Sequence, residues 1–166
     1  YGIFTRLMRD IGFDFCWFDP FADNLFAKGF EYSSNPNQIE LITSFENFEH
    51  FINPIVDLEK IKSISPNILF STKLLPLPIP KPDNWWYYGL EHGQHVSFYS
   101  EKTLQTIADK FGLNYYSLEH DLHLFSHQKI NRFLLFVIKK MYWMIFPLIK
   151  LQMQSKIFED MEYLKT

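Results

Sequence analysis

The sequence predicts an α/β domain on a mainly parallel sheet, closed by a C-terminal antiparallel hairpin and followed by an apolar helix. Two observations carry this. Segments with apolar residues at helical spacing alternate with short apolar runs bounded by turn residues, the pattern of strands joined by crossover helices. The 166 residues are 47% hydrophobic and 19% aromatic, with 18 Phe, which excludes a disordered chain and suits about one domain with a real core.

The elements follow in order. Phe4, Leu7, Met8 and Ile11 fall at helical spacing over residues 3–11, with Gly2 at the start and Gly12 where a left-handed cap would sit. Phe13 to Phe18 is short, aromatic and bounded by Gly12 and Asp19-Pro20, which predicts a buried strand. Gly29 to Tyr32 is a weaker strand candidate ahead of the loop Ser33-Ser34-Asn35-Pro36-Asn37, and Ile39 to Phe45 is the next strand. A helix is expected over Pro54 to Ile64 and an apolar strand over Asn67 to Thr72. Prolines 76, 78, 80 and 82 force Leu75 to Pro82 to run extended. Trp85 to His95 is an aromatic and histidine-rich loop. Ser100 then caps a helix with Leu104, Ile107, Ala108 and Phe111 on one face, ended by Gly112. Asn114 to Leu118 and Leu122 to Ser126 lie close enough together for an antiparallel hairpin.

Sixteen basic against 19 acidic side chains give a net charge of −3, without the basic excess that binds phosphate backbones, so no nucleic-acid partner is expected. Cys16 is the only cysteine, which rules out an internal disulfide and leaves the cytoplasm as the expected location. The first residues have neither a charged n-region nor a long apolar h-region, so they do not read as a signal peptide.

The histidines raise the question of a metal. His92-x-x-His95 and His120-x-x-His123 each offer two imidazoles, but neither has an obvious third ligand or a fixed geometry in loops and strands, and no metal site is expected. His50 follows Glu49 at the start of a helix and reads as packing. His95 is a candidate general base or acceptor-orienting group, with a structural histidine as the competing reading. Trp85, Trp86, Tyr87 and Tyr88 offer aromatic faces for sugar rings or planar substrates, or else core and lid packing.

Four pieces in order resemble the class I S-adenosylmethionine-dependent methyltransferases: Tyr1-Gly2-Ile3-Phe4; Trp17-Phe18-Asp19-Pro20; Ser44 to Pro54, with its Glu49-His50 pair; and His92 to Ser100 leading into Leu104 and Gly112. The likeness covers roughly residues 1–126. It implies a Rossmann-like methyltransferase sheet with S-adenosylmethionine as cofactor, bound by Gly2, Asp19, Ser44, Phe45 and Glu46. In related nucleotide-binding sheets an acidic residue after a strand accepts hydrogen bonds from ribose hydroxyls, the role assigned to Asp19; its other reading is a turn residue before a proline. Gly2 would admit close approach of the backbone, or simply start the helix. Ser44, Phe45 and Glu46 would border the methionine end, although Glu46 also reads as a helix N-terminal charge. On the acceptor side the resemblance suggests His95 as the catalytic group and Trp86, Tyr87, Tyr88 and His92 as substrate contacts.

The family's first strand and leading loop glycines would precede Tyr1, so the chain is expected to be a fragment whose own turnover is doubtful. The expected division is a partial methyltransferase domain over residues 1–128 and a C-terminal apolar helical extension over residues 129–166. The acceptor implied is a small molecule or glycan. The competing function is a catalytically inactive module that docks a partner or membrane surface through its C-terminal helix. Ile130 to Leu151 is apolar for nearly its whole length, but Lys139 and Lys140 at its centre argue against a membrane span. Apolar groups cover most of its circumference, which suggests a homo-oligomer contact, a membrane-surface contact peripheral to the cytoplasm, or packing across its own domain.

Overall fold

The computed structural model describes residues 1–33, 39–119 and 121–165. Ser34, Asn35, Pro36 and Asn37 of the expected loop, and His120 of the second histidine pair, lie outside the described residues. The chain forms two compact units, Tyr1–Ser34 with Lys140–Thr166, and Asn35–Lys139.

The second unit is built on a four-stranded sheet. β1 (Ile42–Ser44) pairs in parallel with β2 (Ile68–Ser71), and β2 pairs antiparallel with β4 (Leu122–Ser126), which pairs antiparallel with β3 (Asn114–Ser117), for the order β1-β2-β4-β3. The expected hairpin is therefore present, but the expectation of a mainly parallel sheet is not met among these strands. Only the β1–β2 pair runs parallel, because the hairpin inserts its second strand directly against β2.

Two helices flank the strands in sequence. α2 (Pro54–Ile64) begins where the Asn53 side chain accepts from the Val56 N–H and Pro54 takes the first turn, where no N–H is needed. α3 (Glu101–Phe111) begins where the Ser100 hydroxyl accepts from the Thr103 N–H, and ends at Gly112 with φ 66°, a left-handed turn that favours glycine. The apolar stripe of α3 buries Leu104, Ile107 and Ala108 in a core with Phe48, Leu58, Ile68, Phe70, Tyr99 and Phe125. Phe48 stacks on Phe70 at 3.9 Å, so the turn after β1 is anchored directly to the centre of the sheet.

His123, on β4, is also buried. Its Nε2–H donates to the Thr72 carbonyl at 3.0 Å, and its Nδ1 accepts from the Tyr115 hydroxyl at 3.0 Å. Burial holds its pKa below the usual imidazole value.

In the first unit, α1 (Ile3–Asp10) follows Gly2 and α5 (Ile157–Tyr163) lies near the end of the chain. Arg9 on α1 donates from Nε and Nη2 to the two oxygens of Asp160 on α5, at 2.8 and 2.6 Å, and both residues are buried. Its Nη1 reaches the Asp14 carboxylate and the Phe15 carbonyl at 2.8 and 2.9 Å. The buried strand expected over Phe13 to Phe18 reduces to one parallel bridge between Trp17 and Glu31. Arg9, rather than a strand ladder, occupies polar groups of that stretch, and Phe13 and Phe18 are exposed.

α4 (Arg132–Gln152) carries the chain from one unit into the other and buries none of its residues. Among the described residues, no helix is long and apolar enough to cross a membrane.

Candidate functional site

In open α/β sheets, ligands bind outside the carboxyl ends of the strands. Here the carboxyl ends of β1 and β2 are tied together. The Ser71 hydroxyl donates to Glu46 Oε1 at 2.7 Å and accepts from the Glu46 N–H at 2.8 Å, which holds Glu46 in a left-handed conformation with φ 48°. Ser44 is buried and accepts from the Asn47 side-chain amide at 3.1 Å, whereas Phe45 is 41% exposed. The three residues expected to border a cofactor thus lie at one strand end, with an aromatic ring and a carboxylate open to solvent beside each other.

The chain next makes a single 3₁₀ turn over Phe48–His50. Four hydrogen bonds join this turn and Phe51 to the segment from Val96 to Tyr99. The Glu49 carbonyl accepts from the N–H groups of Val96 and Ser97 at 2.8 and 3.0 Å. The Ser97 hydroxyl donates to the Phe51 carbonyl at 2.6 Å, and the Tyr99 hydroxyl to the Phe48 carbonyl at 2.9 Å. Glu49, His50 and His95 are brought together as a result, with one ligand atom from each within 4.8 Å of the other two. The imidazoles of His50 and His95 meet edge to face at 5.0 Å.

Each histidine has one ring nitrogen committed. A carbonyl oxygen can only accept, so the 2.9 Å contact of His50 with Gln94 O and the 2.6 Å contact of His95 with Tyr87 O both require Nδ1–H. The lone pair then sits on Nε2 of each ring. Glu49 is 0% exposed, and neither of its carboxylate oxygens has a hydrogen-bond partner. The Tyr87 hydroxyl lies near this carboxylate without forming a hydrogen bond to it, while it accepts from the Lys73 N–H at 3.2 Å and meets Thr72 Oγ1 at 3.4 Å. Burial foremost, with Glu49 adding to it, pushes the Tyr87 hydroxyl up to about 12.

The aromatic loop divides its residues. Tyr87 is buried with its ring 4.7 Å from that of His95, and Tyr88 donates to the Pro80 carbonyl at 3.0 Å while packing against Trp85 and Phe98. Tyr87 walls the site beside His95, and Tyr88 packs within the loop. Trp86 is 75% exposed, with Lys73 Nζ 5.6 Å from its ring centre, and His92 is exposed as well.

Gly2 and Asp19 belong to the first unit. Gly2 has φ 84°, and a Cβ there would run into the side-chain oxygen of Asn24, so local packing by itself demands glycine. Asp19 Oδ1 accepts from the Phe21 N–H at 2.8 Å, forming the turn expected ahead of Pro20.

From the sequence alone His50 reads as packing and Glu49 has no role of its own. The usable signal is a titratable pair, Glu49-His50, inside the aromatic run Phe45 to Phe51.

A family model described as a methyltransferase domain matches residues 1–118. No curated protein and no solved structure matches the chain. The match covers well over half of the sequence and takes in the strand end at Ser44, the Glu49-His50 turn and the aromatic loop through His95, so the chain belongs to the class I S-adenosylmethionine-dependent methyltransferase family.

Proposed function

We propose that the protein methylates a hydroxyl of a small-molecule or glycan-like acceptor, using S-adenosylmethionine bound at the carboxyl end of β1. The observation that carries this reading is that the chain runs from an open, charged and aromatic strand end at Phe45 and Glu46 straight into the turn whose His50 meets the imidazole of His95. The donor residues fit the cofactor. An exposed aromatic ring and a carboxylate fixed by Ser71 both attract the positive charges of the sulfonium and ammonium groups. When bound, S-adenosylmethionine supplies an electrophilic methyl group whose carbon–sulfur electron pair stays on sulfur as the oxygen–carbon bond forms.

Such a displacement asks the protein mainly for positioning. His95 orients the acceptor hydroxyl, whose proton passes to solvent, and the exposed ring of Trp86 offers a stacking face for a planar or sugar acceptor. Tyr87, packed against His95, shapes the wall instead of touching the acceptor, and Tyr88 holds the loop through the Pro80 carbonyl.

Calorimetric titration of the protein with S-adenosylhomocysteine tests the reading. One saturable site is expected, with Glu46→Gln weakening it by about 1.5–3 kcal/mol, the scale of an interaction with a charged group. Absence of heat at millimolar ligand overturns it. His95→Ala is expected to keep cofactor affinity and to lower turnover by on the order of 10²-fold or more, comparable to loss of a positioned catalytic group.

A further inference from the structure

We propose that Glu49, His50 and His95 hold a divalent transition-metal cation of the zinc type. The sequence reading expected no metal, because it paired the histidines by spacing; the fold pairs them differently, through the two N–H groups that the Glu49 carbonyl accepts.

Three features make this a built site. The carboxylate of Glu49 is fully buried and neither oxygen has a hydrogen-bond partner, a costly arrangement for a charged group unless something compensates it. A cation bound between the three side chains supplies that compensation. Both imidazoles donate Nδ1–H to backbone carbonyls, Gln94 for His50 and Tyr87 for His95, and so present Nε2 lone pairs. That is how ligating histidines are usually oriented and made more basic. One nitrogen or oxygen of each side chain already lies within 4.8 Å of the other two, and an ion about 2.0–2.2 Å from each ligand would draw them closer by small rotations of the side chains.

The donor set selects the ion. Two neutral imidazoles and one carboxylate suit zinc and its first-row neighbours, whereas calcium and magnesium favour all-oxygen shells. Three protein ligands leave a coordination position open, as in catalytic rather than purely structural zinc sites. That the open position takes the acceptor hydroxyl, so that His95 orients it through the ion, and makes its proton easier to lose, rests on the methyltransferase reading; the binding of the ion does not.

The test is titration of the chelator-stripped protein with Zn²⁺ by calorimetry, and with Co²⁺ by optical absorption, in the absence of any methyl donor. One ion per chain is expected. Glu49→Gln and His50→Ala should each weaken binding by more than the roughly 10–100-fold that loss of a merely supporting group costs. His127→Ala, whose ring contacts Asn67 outside the cluster, should bind like the unmodified protein. If the unmodified protein shows no saturable site, or Glu49→Gln binds as tightly as it does, the proposal falls. Circular dichroism of the metal-free variants checks folding, and the near-isosteric Glu49→Gln decides the question should His50→Ala fail to fold. Zinc binding without S-adenosylhomocysteine binding would overturn the methyl-transfer reading alone, and the reverse result would overturn the cation site alone.

Discussion

Asp160 and Glu49 are both carboxylates withdrawn from water, at 2% and 0% exposure, and their surroundings are opposite. Asp160 accepts two hydrogen bonds from Arg9 and a further ion-pair contact from Arg6 at 2.9 Å. Arg9 in turn lies over the Phe30 ring at 3.9 Å, so the charge pair is enclosed on its apolar side too. Glu49 sits among aromatic and imidazole rings with neither oxygen bonded. A satisfied buried charge ties together segments distant in sequence, here positions 9 and 160. An unsatisfied one is held in place by the rest of the fold, and what it lacks indicates what it can bind.

The largest effect should come from breaking the satisfied pair. Asp160→Asn leaves the Arg9 guanidinium without its bidentate partner, and removing one member of a buried ion pair costs about 3–5 kcal/mol. Urea unfolding measures it, and a loss under about 1 kcal/mol would erase the distinction between the two carboxylates. The pH dependence carries the same signature. Hydrogen bonds from Arg9 hold the Asp160 carboxyl below its ordinary value of 3.8, so the unfolded chain binds the proton more readily. The stabilisation is complete above 3.8 and is lost as pH falls through the lower folded value. In Asp160→Asn that acid-limb loss should shrink.

His123 gives an intermediate case, a buried group that is satisfied only while neutral. Burial lowers its pKa from 6.5, so the unfolded state again takes up the proton first and stability rises with pH. Its contribution is complete above 6.5 and is lost as pH drops from there through the folded value. Thermal unfolding followed across this window should show a fall in midpoint that His123→Gln removes; an unchanged profile would mean that another group titrates there.

Much of the second unit was legible because its signals are local. Asn53-Pro54 and Ser100 start α2 and α3, Gly112 ends α3, and two short runs within hairpin distance became β3 and β4. Strand direction was less legible, since alternation does not say that the hairpin will seat β4 beside β2. Phe13 to Phe18 failed as a strand for a related reason: the groups that answer its polar atoms come from Arg9, which no pattern within the segment reveals. In the site, Ser44 to Glu46 could be placed because a strand end is visible in the sequence. The partnership of Glu49 and His50 with His95 could not, because it depends on backbone bonds to Val96 and Ser97 and on burial of a carboxylate that looks like any surface glutamate.

A smaller effect should follow from loosening the strand end next to the site. Ser71→Ala removes both hydrogen bonds that fix Glu46. The residues are partly solvated, so the stability cost should be about 1 kcal/mol. Affinity for S-adenosylhomocysteine should fall together with stability, because Glu46 loses its fixed position. Unchanged affinity would mean that Glu46 does not contact the ligand.

The smallest change in stability, with its sign reversed, is expected for Glu49→Gln in the metal-free protein. The substitution keeps the shape of the side chain, breaks no hydrogen bond of the carboxylate, and replaces a buried charge by a neutral amide that is less costly to desolvate. The Glu49 backbone carbonyl, which accepts from Val96 and Ser97, is untouched. The unfolding free energy from urea titration should therefore stay within about 1 kcal/mol of the parent and move toward greater stability, because the group lost is one whose oxygens were unbonded. Adding Zn²⁺ should raise the midpoint of the parent and leave that of the variant where it was, reversing their order, as binding to the folded state alone requires. A loss of more than about 2 kcal/mol without metal would place Glu49 beside Asp160 as a structural charge with a partner of its own, and the contrast between the two carboxylates would end there.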